Sequence, residues 1–178
     1  MNKHTKFTYF GGMCVLIERT DGFKILLDPY IVKNKQTQAK VSDFYDVDLI
    51  FVTHHAGDHY GDVADIMDHS NAKLVAPSDC IYYVKKDTQT PLEEAKKDPE
   101  NGRLYASAYG DERVFGVTKS HTVQAVHLSK GEVNGVPIFG LPSGFVIEVE
   151  PGVTYYHPGD TALHNDIKLV RDLYHPNI

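Results

Sequence analysis

Short apolar runs bounded by turn residues dominate this chain, with helical spacing appearing only between them. Residues 7–18 and 23–27 are two such runs, flanking Arg19-Thr20-Asp21-Gly22. An Asp-Gly pair between apolar runs predicts a hairpin, because both central turn residues take positive φ. Residues 49–52 are continuously apolar, which predicts a buried strand. Residues 62–69 carry Val63, Ile66 and Met67 at helical spacing, with Asp62 placed as N-cap or first-turn residue. Residues 73–77 form a strand stopped by Pro77, and residues 79–86 a second helix. Strands return at 114–118, 122–127, 144–150 and 153–156, with Gly131, Gly135, Pro137, Pro151 and Gly152 marking turns. A last helix is expected over 161–174. Residues 31–46 are polar and lysine-rich and predict a surface loop, and residues 88–102 a charged, exposed excursion. This order fits an α/β sandwich.

Size and charge narrow the picture. A chain of 178 residues suits one domain with its own core. The net charge of −6 and the lack of a basic run leave no footprint for nucleic acid. No apolar stretch approaches the roughly 20 residues that a bilayer crossing needs. The N-terminus is charged and leads into a strand, unlike a signal peptide. Cys14 and Cys80 lack metal-like spacing and fit buried, reduced thiols of a cytoplasmic protein.

The chemistry concentrates where the 49–52 run ends. His54, His55, Asp58 and His59 fall within six residues, punctuated by Gly57 and Gly61. A rigid strand handing over to a tight His/Asp loop holds ligands for zinc, and equally for manganese, iron or nickel.

Here the sequence resembles the metallo-β-lactamase superfamily, whose motif is His-x-His-x-Asp-His after a buried strand. The match is His54, Asp58 and His59, with Ala56 where the family has its second histidine. Three further stretches resemble one branch, uncharacterised metal-dependent hydrolases related to sugar-phosphate lactonases. They are Ala125-Val126-His127-Leu128-Ser129, Pro142-Ser143-Gly144-Phe145-Val146-Ile147 and Tyr156-His157-Pro158-Gly159-Asp160-Thr161. The resemblance implies an αββα sandwich, its first half complete and its second partial. Relatives continue past Ile178 with further strands, a helix and a last ligand histidine, so it also implies a single domain shortened at the C-terminus.

By the same resemblance, one metal takes His54, position 56 and His127. The other takes Asp58, His59 and the later histidine, and Asp160 is shared. Asp58 either ligates or orients the attacking water. Two cations roughly 3.5–4 Å apart would give a hydroxide at neutral pH. Each site is one protein ligand short, at Ala56 and beyond Ile178, so one or two ions are expected. His55 could replace the missing imidazole only through a shift in loop register. Asp28 is either a carboxylate steadying the metal loop or a turn aspartate. His157 is either a support of the site or structural, and His121 is a fallback ligand for His127. His4, His69, His164 and His175 are expected at the surface. Ser129 and Lys130 line a pocket or a solvated loop, and Tyr60 is a packing residue or a proton donor.

These features support two functions. One is a hydrolase that directs a metal-bound hydroxide at an ester, lactone, amide or phosphoester of a small molecule, impaired by Ala56 and the short C-terminus. The other is an inactive scaffold binding a ligand or partner chain. A shortened sandwich would leave an apolar sheet face and an open strand edge, implying a homo-oligomer or a complementing chain.

Overall fold

A computed structural model describes residues 4–133 and 135–178, leaving the first three residues of the charged N-terminus outside the description. The first sheet takes β1 (Lys6–Gly11), β2 (Cys14–Glu18), β3 (Lys24–Leu27), β4 (Leu49–Phe51), β5 (Lys73–Pro77) and β6 (Leu104–Ser107), side by side in chain order. The first three strands are antiparallel and the last four parallel. Helices α1 (Val63–His69) and α2 (Ser78–Asp87) make the crossovers from β4 to β5 and from β5 to β6. The second sheet is antiparallel, built from β7 (Glu112–Phe115), β8 (Thr118–Gln124), β11 (Ser143–Glu150) and β12 (Val153–His157) in the order β12-β11-β8-β7. Strands β9 (Ser129–Val133) and β10 (Val136–Gly140) pair separately, and α3 (Asp166–Tyr174) closes the chain.

Alternation along the strands separates two cores. Leu26, Ile50, Leu74 and Ala76 pack with Val63, Ile66, Met67, Cys80 and Val84 of the helices. Ile25, Leu27, Leu49, Phe51 and Val75 point the other way, onto Phe145, Ile147 and Val149 of the second sheet. Each sheet therefore covers the other's inner face, and the bare apolar face expected from sequence is not found among the described residues. The outer edge of β12 is also engaged, by the end of the chain. Tyr156 N–H donates to Ile178 C=O, and Ile178 N–H donates to Thr154 C=O.

Several boundaries differ from expectation, each for a local reason. Residues 7–18 are two strands, because the chain reverses through Gly11 and Gly12, both at positive φ. Residues 31–46 are not merely surface: Ile31, Val41 and Phe44 are buried, the last two on a short 3-10 turn. Gly131 and Pro137 lie within β9 and β10 instead of turns, and β6 carries no sequence signal that predicts it. Strand β8 stops at Gln124, so His127 follows it on a loop, and α3 starts only at Asp166. Asp62 does sit at the N-cap of α1, but its carboxylate accepts from the Ile31 and Val32 N–H groups instead of capping the helix.

Candidate metal centre

Strand β4 ends beside β3, and a single carboxylate fixes the loop that leaves it. Asp28, fully buried at φ 43, terminates β3. Its Oδ1 accepts the Thr53 N–H at 2.8 Å and its Oδ2 accepts the Thr53 hydroxyl at 2.9 Å. Oδ2 also receives His59 Nδ1 and His157 Nε2, each at 2.8 Å. Burial opposes the ionised form, but the His157 and His59 hydrogen bonds outweigh it and hold this carboxyl far below the usual range. Asp28 is thus both the turn residue and the support of the metal loop, while His157 is completely buried behind it.

The loop itself is a tight turn. Ala56 N–H donates to His54 C=O, and the His59 and Tyr60 N–H groups donate to Ala56 C=O. This brings the His54 and His59 rings to 4.2 Å between centroids. One ligand atom each of His54, His59 and Asp160 lie within 4.8 Å of one another. His59 Nε2 is 3.4 Å from Asp160 Oδ1. His127 joins at the rim, its ring edge-on to His54 at 5.2 Å and its Nε2 3.7 Å from Asp160 Oδ2.

The proton positions implied by these contacts suit a cation. With its hydroxyl proton on Asp28, Thr53 Oγ1 accepts from His54 Nδ1 at 3.0 Å, which leaves His54 Nε2 as a lone pair. That nitrogen is buried and has no hydrogen-bond partner among the described residues. Burial, then the neighbouring His59, pushes His54 down to about 4, so it is neutral at physiological pH. His59 donates its Nδ1 proton to Asp28, so its neutral form likewise turns a lone pair toward Asp160. Burial works against its charged form, but the Asp28 hydrogen bond and charge prevail and raise its pKa. The unpartnered His54 nitrogen, joined by that of neutral His59, faces one carboxylate, and N and O donors of this kind suit a divalent transition metal.

The structure thus gathers His54, His59, His127 and Asp160 of the expected ligands. Asp58 is exposed on the same loop and makes no side-chain hydrogen bond or ion pair among the described residues. His55 does not replace the missing imidazole. Its ring stacks on Tyr83 at 3.8 Å and its Nδ1 reaches Lys130 C=O at 3.2 Å, away from the cluster. His121 is no substitute for His127, since it packs on Tyr174 beneath α3. Tyr60 is buried and donates to Asp87, a packing role. Ser129 is buried, not solvated, and His164 is half-buried with its Nε2 unpartnered, unlike the surface residue expected. Thr53, whose hydroxyl links Asp28 to both histidines, is invisible in the sequence because a threonine at a strand end carries no distinguishing pattern.

Two facing sheets with a His/Asp cluster at the ends of their strands define a metallo-hydrolase-type centre. The chain belongs to the beta-lactamase superfamily, whose domain matches residues 6–178, and within it to the UPF0173 metal-dependent hydrolase family. It is 37% identical over 171 residues to a UPF0173 metal-dependent hydrolase of Pyrococcus horikoshii, covering 96% of this chain and 68% of the relative. A Bacillus pumilus member is 34% identical over 173 residues, covering 96% and 69%. Among solved structures, Igni18, a metallo hydrolase from Ignicoccus hospitalis, superposes with a TM-score of 0.72 at 25% identity, covering 97% of this chain and 67% of that one. A possible metal-dependent hydrolase from Veillonella parvula shares the fold at TM-score 0.69 and 15% identity, covering 98% and 70%.

Proposed function

We propose that this chain hydrolyses an ester, lactone, amide or phosphoester bond of a small molecule with the help of a divalent metal, zinc by the nature of its donors. The observation that carries this reading is the buried, unpartnered His54 Nε2 gathered with His59 and Asp160. His54, His59 and Asp160 would hold the ion, with His127 beside them at the rim. A cation bound there supplies a Lewis acid and lowers the pKa of coordinated water. The chain's own residues do the rest. Asp28 and Thr53 keep both imidazoles in the tautomer that presents Nε2. Asp58, exposed on the loop, takes the proton from the attacking water or joins the ligands. Ala56 offers only a methyl where the superfamily motif has an imidazole, so affinity for a second ion is reduced and turnover impaired.

The test is metal content per chain after purification without chelator, for the unaltered protein and Ala56→His, with an ester and lactone panel run on both. We expect about one ion in the unaltered chain, more in the variant, and hydrolysis that a chelator abolishes. No metal in either protein and no hydrolysis would overturn the reading in favour of a non-catalytic scaffold.

A further inference from the structure

A cavity of about 260 Å³ lies between the start of α2, the end of β6 and the β10–β11 connection, and its lining includes Asp79, Ser107, Tyr109, Phe139, Leu141 and Ser143. It adjoins the metal loop through hydrogen bonds. Ser143 N–H donates to Thr53 C=O at 2.9 Å. Ser129 Oγ accepts the His55 N–H at 2.9 Å and donates its proton to Asp79 Oδ2. Both residues flanking His54 are therefore tied to the cavity wall.

The polar floor of this cavity is incomplete. Asp79 is only 8% exposed, and among the described residues its carboxylate has only the Ser129 hydroxyl on Oδ2, with Oδ1 unpartnered. Ser107, 6% exposed, has an unpartnered Oγ as well. A buried carboxylate holding a single hydrogen bond is costly unless something completes its shell. Asp79 lies in the first turn of α2, where the helix favours a negative charge. Strand β10 packs against this carboxylate at the cavity wall: a Cβ at Gly140 would lie 2.0 Å from Asp79 Cγ, so only glycine permits this approach. Around the same opening Phe139 and Leu141 stand exposed and Tyr109 half-exposed, an apolar collar over a charged floor.

We infer that this cavity is a substrate subsite for an organic ammonium group carried on an apolar stem, with Asp79 Oδ1 and Ser107 Oγ accepting its N–H donors. The volume suits one end of a substrate, below the usual range for a whole ligand. Calling the occupant a substrate rests on the hydrolase reading above; the binding chemistry does not.

Nuclear magnetic resonance titration of the whole protein with phenethylammonium, 2-phenylethanol and phenylacetate tests this. The ammonium probe should shift amides at residues 78–79, 107–109 and 139–143 and bind roughly tenfold or more tighter than the neutral and anionic probes, as charge-assisted hydrogen bonds do. Asp79→Asn retains an acceptor for Ser129 while removing the charge, and should cut that affinity by about tenfold or more without altering metal content. Ser107→Ala should weaken it less, and provides a second variant should the first fail to fold. Equal binding of the three probes, shifts elsewhere, or an unaffected folded Asp79→Asn would overturn the inference. Ammonium-selective binding in a protein without metal would uphold the subsite and sink the hydrolase reading instead. Metal with no ammonium selectivity would do the reverse.

Discussion

His157 Nε2 donates to Asp28 Oδ2 at 2.8 Å across 129 positions of sequence, joining the end of β12 in one sheet to the end of β3 in the other. Tyr155 hydroxyl reaches the opposite ring nitrogen at 3.2 Å, so the imidazole is fixed from both sides. Because Asp28 also receives Thr53 and His59, a single carboxylate clamps the metal loop onto both sheets. The centre is positioned by the sandwich as a whole and not by its loop alone.

Replacing Asp28 therefore acts on stability and on metal together. Asp28→Ala leaves the Thr53, His59 and His157 donors unpaired in a dry interior, a loss of roughly 3–5 kcal/mol that urea unfolding of the metal-free protein would measure. Asp28→Asn keeps one acceptor oxygen and the shape, but cannot accept from every donor. Its metal affinity should fall by about 10–100-fold, as read by competition with a chromophoric chelator.

His54 and His59 should respond differently although both face Asp160. His54 Nε2 has no partner among the described residues, whereas His59 donates to Asp28. Metal uptake should collapse in both His54→Ala and His59→Ala. Without metal, His59→Ala should lose more stability, because it also strips a donor from a buried carboxylate. Equal melting losses in the two metal-free variants would count against this assignment of roles.

The elements legible in the sequence are those whose cause is local. Leu49–Phe51 is apolar throughout because helices cover one face and the second sheet the other. The chain turns at Asp21-Gly22 where expected, but Gly22 N–H on Arg19 C=O makes Thr20-Asp21 the central pair, and of the expected two only Gly22 takes positive φ. The β9–β10 pair carries a hairpin signal in Asn134-Gly135, obscured when Gly131 and Pro137, which lie inside the strands, are taken as turn residues. At the site, the histidine motif is local and legible. The role of Asp28 is not, since its four donors come from Thr53, His59 and His157, brought together only by packing. His55 shows the same limit from the other side: only the position of β9 and α2 decides that its ring turns toward Tyr83.

Both cysteines should be silent toward thiol reagents in the native protein. Cys14 and Cys80 are free and fully buried. Burial is the main cause that pushes Cys14 up to about 12, reinforced by the Asp28 charge and opposed by a Tyr30 backbone hydrogen bond. Burial also raises Cys80 well above the usual thiol range. A raised pKa keeps the unreactive thiol form through pH 8. Ellman's reagent at that pH should therefore titrate no thiol in buffer and two in denaturant, and fast native labelling would contradict the burial.

The sharpest backbone test is Gly61→Ala, just past the metal loop. Gly61 has φ 40, and a Cβ built there would sit 2.3 Å from Pro29 C=O oxygen. That contact exists because the turn after Asp28 is laced to the loop: Asp62 N–H donates to Pro29 C=O at 2.8 Å, while its carboxylate receives Ile31 and Val32. Nothing flexible can yield, since the obstacle is backbone. Left-handed strain of about 1–2 kcal/mol and overpacking of about 1–3 kcal/mol should add. A fall in the urea midpoint, with metal affinity weakened because Asp28 moves with Pro29, is the expected outcome. A variant as stable as the parent would mean that the Asp28–Pro29 turn and the metal loop do not meet this closely.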